Sequence, residues 1–463
     1  MPIPAVADDG EVRANVFFVA YTSEPPEGRS RPITFLFNGG PGQPAVWLHL
    51  GVGPHRAAVA QPSVTQRFAS NGAIAPTAEL VPNEHTWLSF SDLVFIDPVS
   101  TGYSRAAPGV DAQDFHGYVQ DVEYLGEFVR LFLTRFERWD APKFLAGESY
   151  GTTRVSGLAR YLQERHGITL NGVILLSAIL NWQTARFDVG NDLPYLFFLP
   201  SYTATAWYHG RLAGGLQTGG LENAVQQARE FALGDYATAL LRGDNLPTAQ
   251  RGMIVQRLAG FTGLSPDYVE RSNLRVEGRR FMKELRRDEG VTVGRLDGRY
   301  LGVDRDAVGE VPEFDPSYFV YGAFTALFND YVRGELEYRN DLAYEIRAGD
   351  LVRPWDYSNV ENRYLNVAED LRSAMSGNPG LRLFVACGYY DLATPFLAME
   401  YTLSQMQLAE SLRENVTVRY YEAGHMMYIH PASLAKLELD ISGFYDEATG
   451  TMVGRQTPSE IKH

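Results

Sequence analysis

The feature that most constrains this chain is a five-residue turn, Gly147–Glu–Ser149–Tyr–Gly151, set between a short apolar run and a helical one. Lys143–Ala146 reads as a strand and Thr152–Arg165 as a helix, so Ser149 falls where a strand bends sharply into a helix. The two glycines answer a steric need: the serine occupies a strained turn, and bulk two positions either side would collide with the adjoining strand and helix. A turn of this kind presents a hydroxyl at the C-terminal edge of a parallel sheet, which makes Ser149 a candidate nucleophile.

The flanking sequence supplies the sheet. Val12–Thr22 reads as an opening hairpin strand, and Ile33–Phe37 and Leu93–Ile96 as short apolar strands. Val119–Phe136 carries Val122, Leu125, Phe128, Val129 and Phe132 at three-to-four spacing, the mark of a helix packed on a sheet. Gly172–Ala178 is a further buried strand, and the alternation predicts parallel pairing with right-handed crossovers. From residue 183 this rhythm is lost. Leu221–Ala232, Glu277–Arg287 and Asp330–Glu337 read as helices among loops, with Arg279–Glu289 a solvated helix face. After Asn378–Gly380 the rhythm returns in strands Leu381–Ala386 and Val416–Tyr421 and a closing helix, Ser433–Phe444. The expectation is an α/β protein with a mostly parallel central sheet flanked by helices, built from residues 1–182 and 379–463. A mainly helical cap is inserted over 183–378. At 463 residues, one core plus an insertion is the expected scale.

Bulk properties remove several function classes. A net charge of −15 would be repelled by nucleic-acid phosphates and anionic membranes, so neither is expected as a partner. The uncharged stretch Leu193–Tyr208 contains Pro194 and Pro200 and reads as broken rather than membrane-spanning. The single cysteine, Cys387, allows no intrachain disulfide and falls in an apolar run that reads as a buried strand. The N-terminal sequence has neither a basic nor an apolar signal-peptide region, which predicts a cytoplasmic chain unless a leader has been removed. With no phosphate loop, dinucleotide fingerprint or zinc-type histidine spacing, no cofactor and no metal are expected. Ser433–Lys436 fits S-x-x-K without its companion motifs, and Asn415–Thr417 is a glycosylation sequon; neither is given a role. Nothing in the sequence fixes an oligomeric state.

The partners of Ser149 follow in the order that such a site requires. Phe37–Asn38–Gly39–Gly40–Pro41–Gly42 follows a strand, and adjacent glycines let a backbone N–H approach a substrate carbonyl closely. A second donor would be the amide of Tyr150. Asp391 lies just beyond the strand Leu381–Ala386, and His425 follows Val416–Tyr421. Both stand at C-terminal strand ends, in the order serine, acid, histidine.

The runs FNGGPG, GESYG, Gly388–Asp391 and AGHM resemble the serine carboxypeptidase family, carboxyl-terminal exopeptidases of α/β-hydrolase fold. Asn83 with Trp87, and Asp97–Pro98 with Thr101–Ser104, are similar to further family segments, and the lack of disulfides looks closest to the bacterial branch. The resemblance implies a triad of Ser149, Asp391 and His425, an oxyanion hole from Gly40 and Tyr150, and capture of a terminal carboxylate by Asn38 and Glu148. The implied partners are peptides with a free C-terminus. Two positions depart from the eukaryotic pattern: Leu36 stands for a tryptophan and Gly51 for a carboxylate of the terminal-carboxylate site. An esterase or acyltransferase on the same triad is the alternative, followed by a non-catalytic binding protein.

Overall fold

The computed structural model describes residues 3–6, 11–24, 30–59 and 78–450. Part of the N-terminal stretch behind the signal-peptide expectation lies outside the described residues. A seven-stranded sheet organises the chain: β1 (Phe18–Tyr21), β2 (Ile33–Phe37), β3 (Asp92–Ile96), β4 (Lys143–Glu148), β5 (Gly172–Leu176), β6 (Arg382–Gly388) and β7 (Val416–Tyr421). Their spatial order is β7-β6-β5-β4-β2-β3-β1, parallel throughout except for the antiparallel edge β1. This is the mostly parallel sheet that the sequence predicts.

The central strands are apolar on both faces because helices cover both. In β5, Val173 and Leu175 join the apolar cluster on one side, and Ile174 and Leu176 the cluster on the other. Helices α1 (Tyr118–Arg135) and α2 (Tyr150–His166) cover the first face. The closing helix Pro431–Thr449 covers the second with Leu434, Leu437, Ile441 and Phe444.

Val12–Thr22 is not one hairpin strand. Val12–Val16 pairs with Ile3–Val6 in a small separate sheet, while β1 joins the main one. The chain changes sheets at Phe17, whose amide donates to Ser104 Oγ at 2.8 Å and whose carbonyl accepts from Asp97 N at 3.1 Å. Leu193–Tyr208 is likewise unbroken: it forms one helix, with Pro194 in its first turn and Pro200 inside. Pro200 removes a backbone donor, but the helix is buried nearly all round, and packing holds it together. Among the described residues no helix is long and apolar enough to cross a membrane.

Between β5 and β6 the chain runs mainly through helices. Those from Leu193 to Glu284 share the apolar cluster that contains α1 and α2. Tyr321–Gly334 instead packs Phe324 and Phe328 against Trp47 and His49 on the opposite side. The stretch that follows is stitched to the rest of the molecule by backbone bridges, Gly102 to Glu345, Gly117 to Asp356 and Asn181 to Asn366. Ala368–Gly377 then lies beside α2, where Asp370 accepts from Tyr118 and Arg160.

Candidate active site

Ser149 stands between β4 and α2 with φ 59° and ψ −127°, a strained conformation for a residue with a side chain. The sterics around it account for the two glycines. A Cβ on Gly147 would lie 2.3 Å from the Gly151 carbonyl, and one on Gly151 would lie 2.4 Å from that of Phe37. The Asn38–Gly42 loop comes equally close, since a Cβ on Gly39 would sit 2.5 Å from the Tyr150 nitrogen. Tyr150 opens α2, so its N–H has no acceptor within the helix. Gly40 has φ +107°, which favours glycine. The loop bearing Gly40 and the amide of Tyr150 therefore border one point above Ser149.

That loop is locked from beneath by a residue the sequence reading does not single out. Arg154, one turn into α2, donates to the Asn38 carbonyl at 2.6 Å and to Asp121 Oδ2 at 2.7 Å. Both charged side chains are fully buried. Burial pushes the Asp121 carboxyl up despite the opposing guanidinium.

His425 and Asp391 arrive from the ends of β7 and β6. His425 Nδ1 lies 2.7 Å from Asp391 Oδ2, and the second carboxylate oxygen accepts from the amides of Ala393 and Thr394 at 2.7 and 3.0 Å. Thr394 Oγ1 also donates to Asp391 Oδ2 at 2.7 Å. Burial alone would raise the Asp391 pKa, but His425 and these donors outweigh it and hold the carboxylate below its ordinary value. Burial would lower His425, and the charge of Asp391 more than reverses that. Nδ1–H thus belongs to Asp391, leaving Nε2 to accept a proton. The backbone on either side of the imidazole is fixed as well, by His425 N to Leu296 O and Ser177 Oγ to His425 O, both at 2.6 Å. Ser149 and His425 line the same cavity, of about 910 Å³, though no hydrogen bond joins Oγ to Nε2. Such contacts commonly tighten only when substrate binds.

Glu148 completes the group. Asn38 Nδ2 donates to its Oε2 at 3.0 Å and the Tyr428 hydroxyl to the same oxygen at 2.5 Å, while Oε1 lies 4.0 Å from His425 Nε2. Burial raises its pKa to about 7. Tyr428 also explains one departure from the family pattern: a Cβ on Gly51 would meet its ring at 2.3 Å, so the tyrosine fills the space that a longer residue would need. Leu36 is buried on the face of β2 that packs with Trp47 and Phe95. Among the described residues no group of three or more His, Cys, Asp or Glu side chains could hold a metal ion.

The strand order, with Ser149 at a strand–helix turn and Asp391 and His425 just beyond successive strand ends, is that of the α/β-hydrolase fold. The model of the serine carboxypeptidase family matches residues 6–189, a range that includes the Asn38–Gly42 loop and Ser149. Over that stretch, about two-fifths of its length, the chain is similar to the serine carboxypeptidase family. It is 28% identical over 200 residues to the pheromone-processing carboxypeptidase kex1 of Aspergillus niger, a match spanning 42% of this chain and 28% of that protein. Against the Yarrowia lipolytica counterpart the identity is 28% over 153 residues, 31% of this chain and 21% of the other. The chain thus spans under a third of the length of these curated relatives. The crystal structure of Kex1(Δ)p, a prohormone-processing carboxypeptidase from Saccharomyces cerevisiae, has the same fold, with a TM-score of 0.52 and 15% identity, covering 97% of this chain and 90% of that one.

Proposed function

We propose that this chain is a serine-type carboxypeptidase that removes C-terminal residues from peptides through an acyl-enzyme on Ser149. His425 takes the Ser149 proton as the oxygen attacks the last peptide carbonyl, and Asp391 orients the imidazole and stabilises its charged form. The oxyanion forms against the amides of Gly40 and Tyr150. His425 then passes the proton to the leaving amine, and water hydrolyses the acyl-enzyme.

The observation that carries this reading is the buried Glu148 carboxyl, with its pKa raised to about 7, beside the nucleophile. With Oε2 occupied by Asn38 and Tyr428, a proton on Oε1 can be donated to the carboxylate of a peptide terminus. Ester hydrolysis has no use for such a group. The insertion over 183–378, on this reading, forms walls that admit chain ends and exclude folded proteins.

A peptide library followed by mass spectrometry tests it, with residues expected to leave from the C-terminus only. A fluorophosphonate should label Ser149, and Ser149→Ala should lose roughly 10⁴–10⁶ in kcat while staying folded. Internal cleavage, or hydrolysis of esters without any peptide, would displace this reading in favour of an endopeptidase or an esterase.

A further inference from the structure

The cavity that holds Ser149 and His425 is lined by four arginines, Arg186, Arg295, Arg347 and Arg353, and by one carboxylate, Glu148. That balance reverses the composition of the chain, which has 41 Lys and Arg against 56 Asp and Glu. All four are exposed, and among the described residues none forms an ion pair with an aspartate or glutamate. Some surface arginines elsewhere are paired, as Arg211 is with Asp288 and Arg251 with Glu270, and others, such as Arg135 and Arg242, are not; what sets these four apart is that they converge on one cavity. Arg347 stacks over Tyr318 at 4.8 Å and Arg186 over Trp182 at 4.7 Å, an arrangement that fixes a guanidinium while leaving its edge donors free.

Arg295 is the best placed of the four. Its amide is anchored on Asp315 Oδ1 at 2.9 Å, and the next residue, Leu296, accepts the His425 amide at 2.6 Å. Arg295 and His425 line the same cavity, and the positive charge of Arg295 opposes protonation of the imidazole. His425 must hand its proton to the leaving amine, which puts Arg295 on the side of the departing residue. Arg295, Tyr318 and Arg347 also border an adjoining cavity of about 490 Å³. Of the carboxylates there, Asp315 accepts Ser317 N and Arg295 N on Oδ1 while its buried Oδ2 has no hydrogen-bond partner among the described residues, and Glu313 pairs with Arg305.

We infer that Arg295 and Arg347 form a subsite for an anionic side chain, so that the preferred substrates are peptides ending in aspartate or glutamate. This rests on the carboxypeptidase reading. An exposed pair contributes a few-fold each, and two in one concave site give roughly tenfold in kcat/KM.

The test compares N-blocked Phe-Glu with Phe-Gln, and Glu-Phe with Gln-Phe, at a pH where every substrate carboxyl is ionised. Both members of a pair keep the terminal carboxylate, so only the side-chain charge differs. Phe-Glu should exceed Phe-Gln about tenfold, mainly through KM, and the ratio should shrink in high salt. It should collapse toward one in Arg295→Gln and Arg347→Gln and persist in Arg372→Gln, which alters a helix surface elsewhere. A ratio of one in the wild type, a ratio that survives both substitutions, or a preference at the penultimate position alone overturns the subsite. Turnover of Phe-Gln without a Glu preference overturns it while leaving the carboxypeptidase standing. Hydrolysis of a simple ester with none of the four peptides cleaved overturns both.

Discussion

Replacing Glu148 by glutamine should abolish a pH dependence of substrate binding whose size follows from the site. The carboxyl must be protonated to donate to a substrate carboxylate, and burial sets its pKa at about 7 in the free protein. The protonated fraction then falls from roughly nine-tenths at pH 6 to one-tenth at pH 8, so KM for a free-acid peptide should rise about tenfold over that range. A bound carboxylate raises the Glu148 pKa further, so by linkage binding is strongest below the free-protein value and is lost as pH climbs toward that of the complex. His425 acts in the opposite sense. Its pKa lies above the usual 6.5 and its neutral form is the base, so kcat should increase with pH. For a free acid, kcat/KM is therefore a bell whose limbs belong to the coupled pair. For the corresponding peptide amide only the rise remains. The assay is KM and kcat from about pH 5 to 8.5 for a blocked dipeptide and its amide, on wild type and Glu148→Gln. A flat KM for the free acid in the wild type, or the same rise in Glu148→Gln, refutes the assignment.

Arg154→Met strands the Asp121 charge in the core and should cost about 3–5 kcal/mol in urea denaturation, most of it recovered by adding Asp121→Leu. A loss below about 1 kcal/mol would mean that the ion pair does not brace the loop. Gly40→Val forces a β-branched side chain on φ +107° and displaces the loop amide, so kcat should fall roughly 10²-fold or more with little change in melting temperature. Wild-type kcat in that variant would place the oxyanion donor elsewhere.

Much of this was legible in the sequence because short apolar runs and glycine-bounded turns are local signals. Ile33–Phe37 and Val416–Tyr421 could be delimited to the residue, and Ser149, Asp391 and His425 stood out because each follows a strand. What escaped depends on partners distant in the chain. Tyr428 reaches Glu148 across 280 residues and Arg154 reaches Asn38 across 116, and neither carries a motif. Thr394 sits three residues after Asp391, yet only the folded turn shows its hydroxyl on the carboxylate. Pro200 misled for the same reason, since burial of the surrounding helix is a tertiary fact. The cavity arginines come from irregular segments with no periodicity to read.

The interrupted sheet has a consequence for synthesis. On the proposed mechanism, the nucleophile and its oxyanion loop lie before residue 152, whereas the acid and base that would arm them follow β6 and β7, made only after the long helical excursion. A ribosome-bound chain can lay down β1 to β5 with Ser149 already in its elbow and still hold an unactivated hydroxyl. On that mechanism, reactivity would require the last two strands to add to the open edge at β5 and bring Asp391 and His425 into place. If the triad is as proposed, the order of the strands would act as a delay, with Ser149 in its turn before the groups that activate it exist.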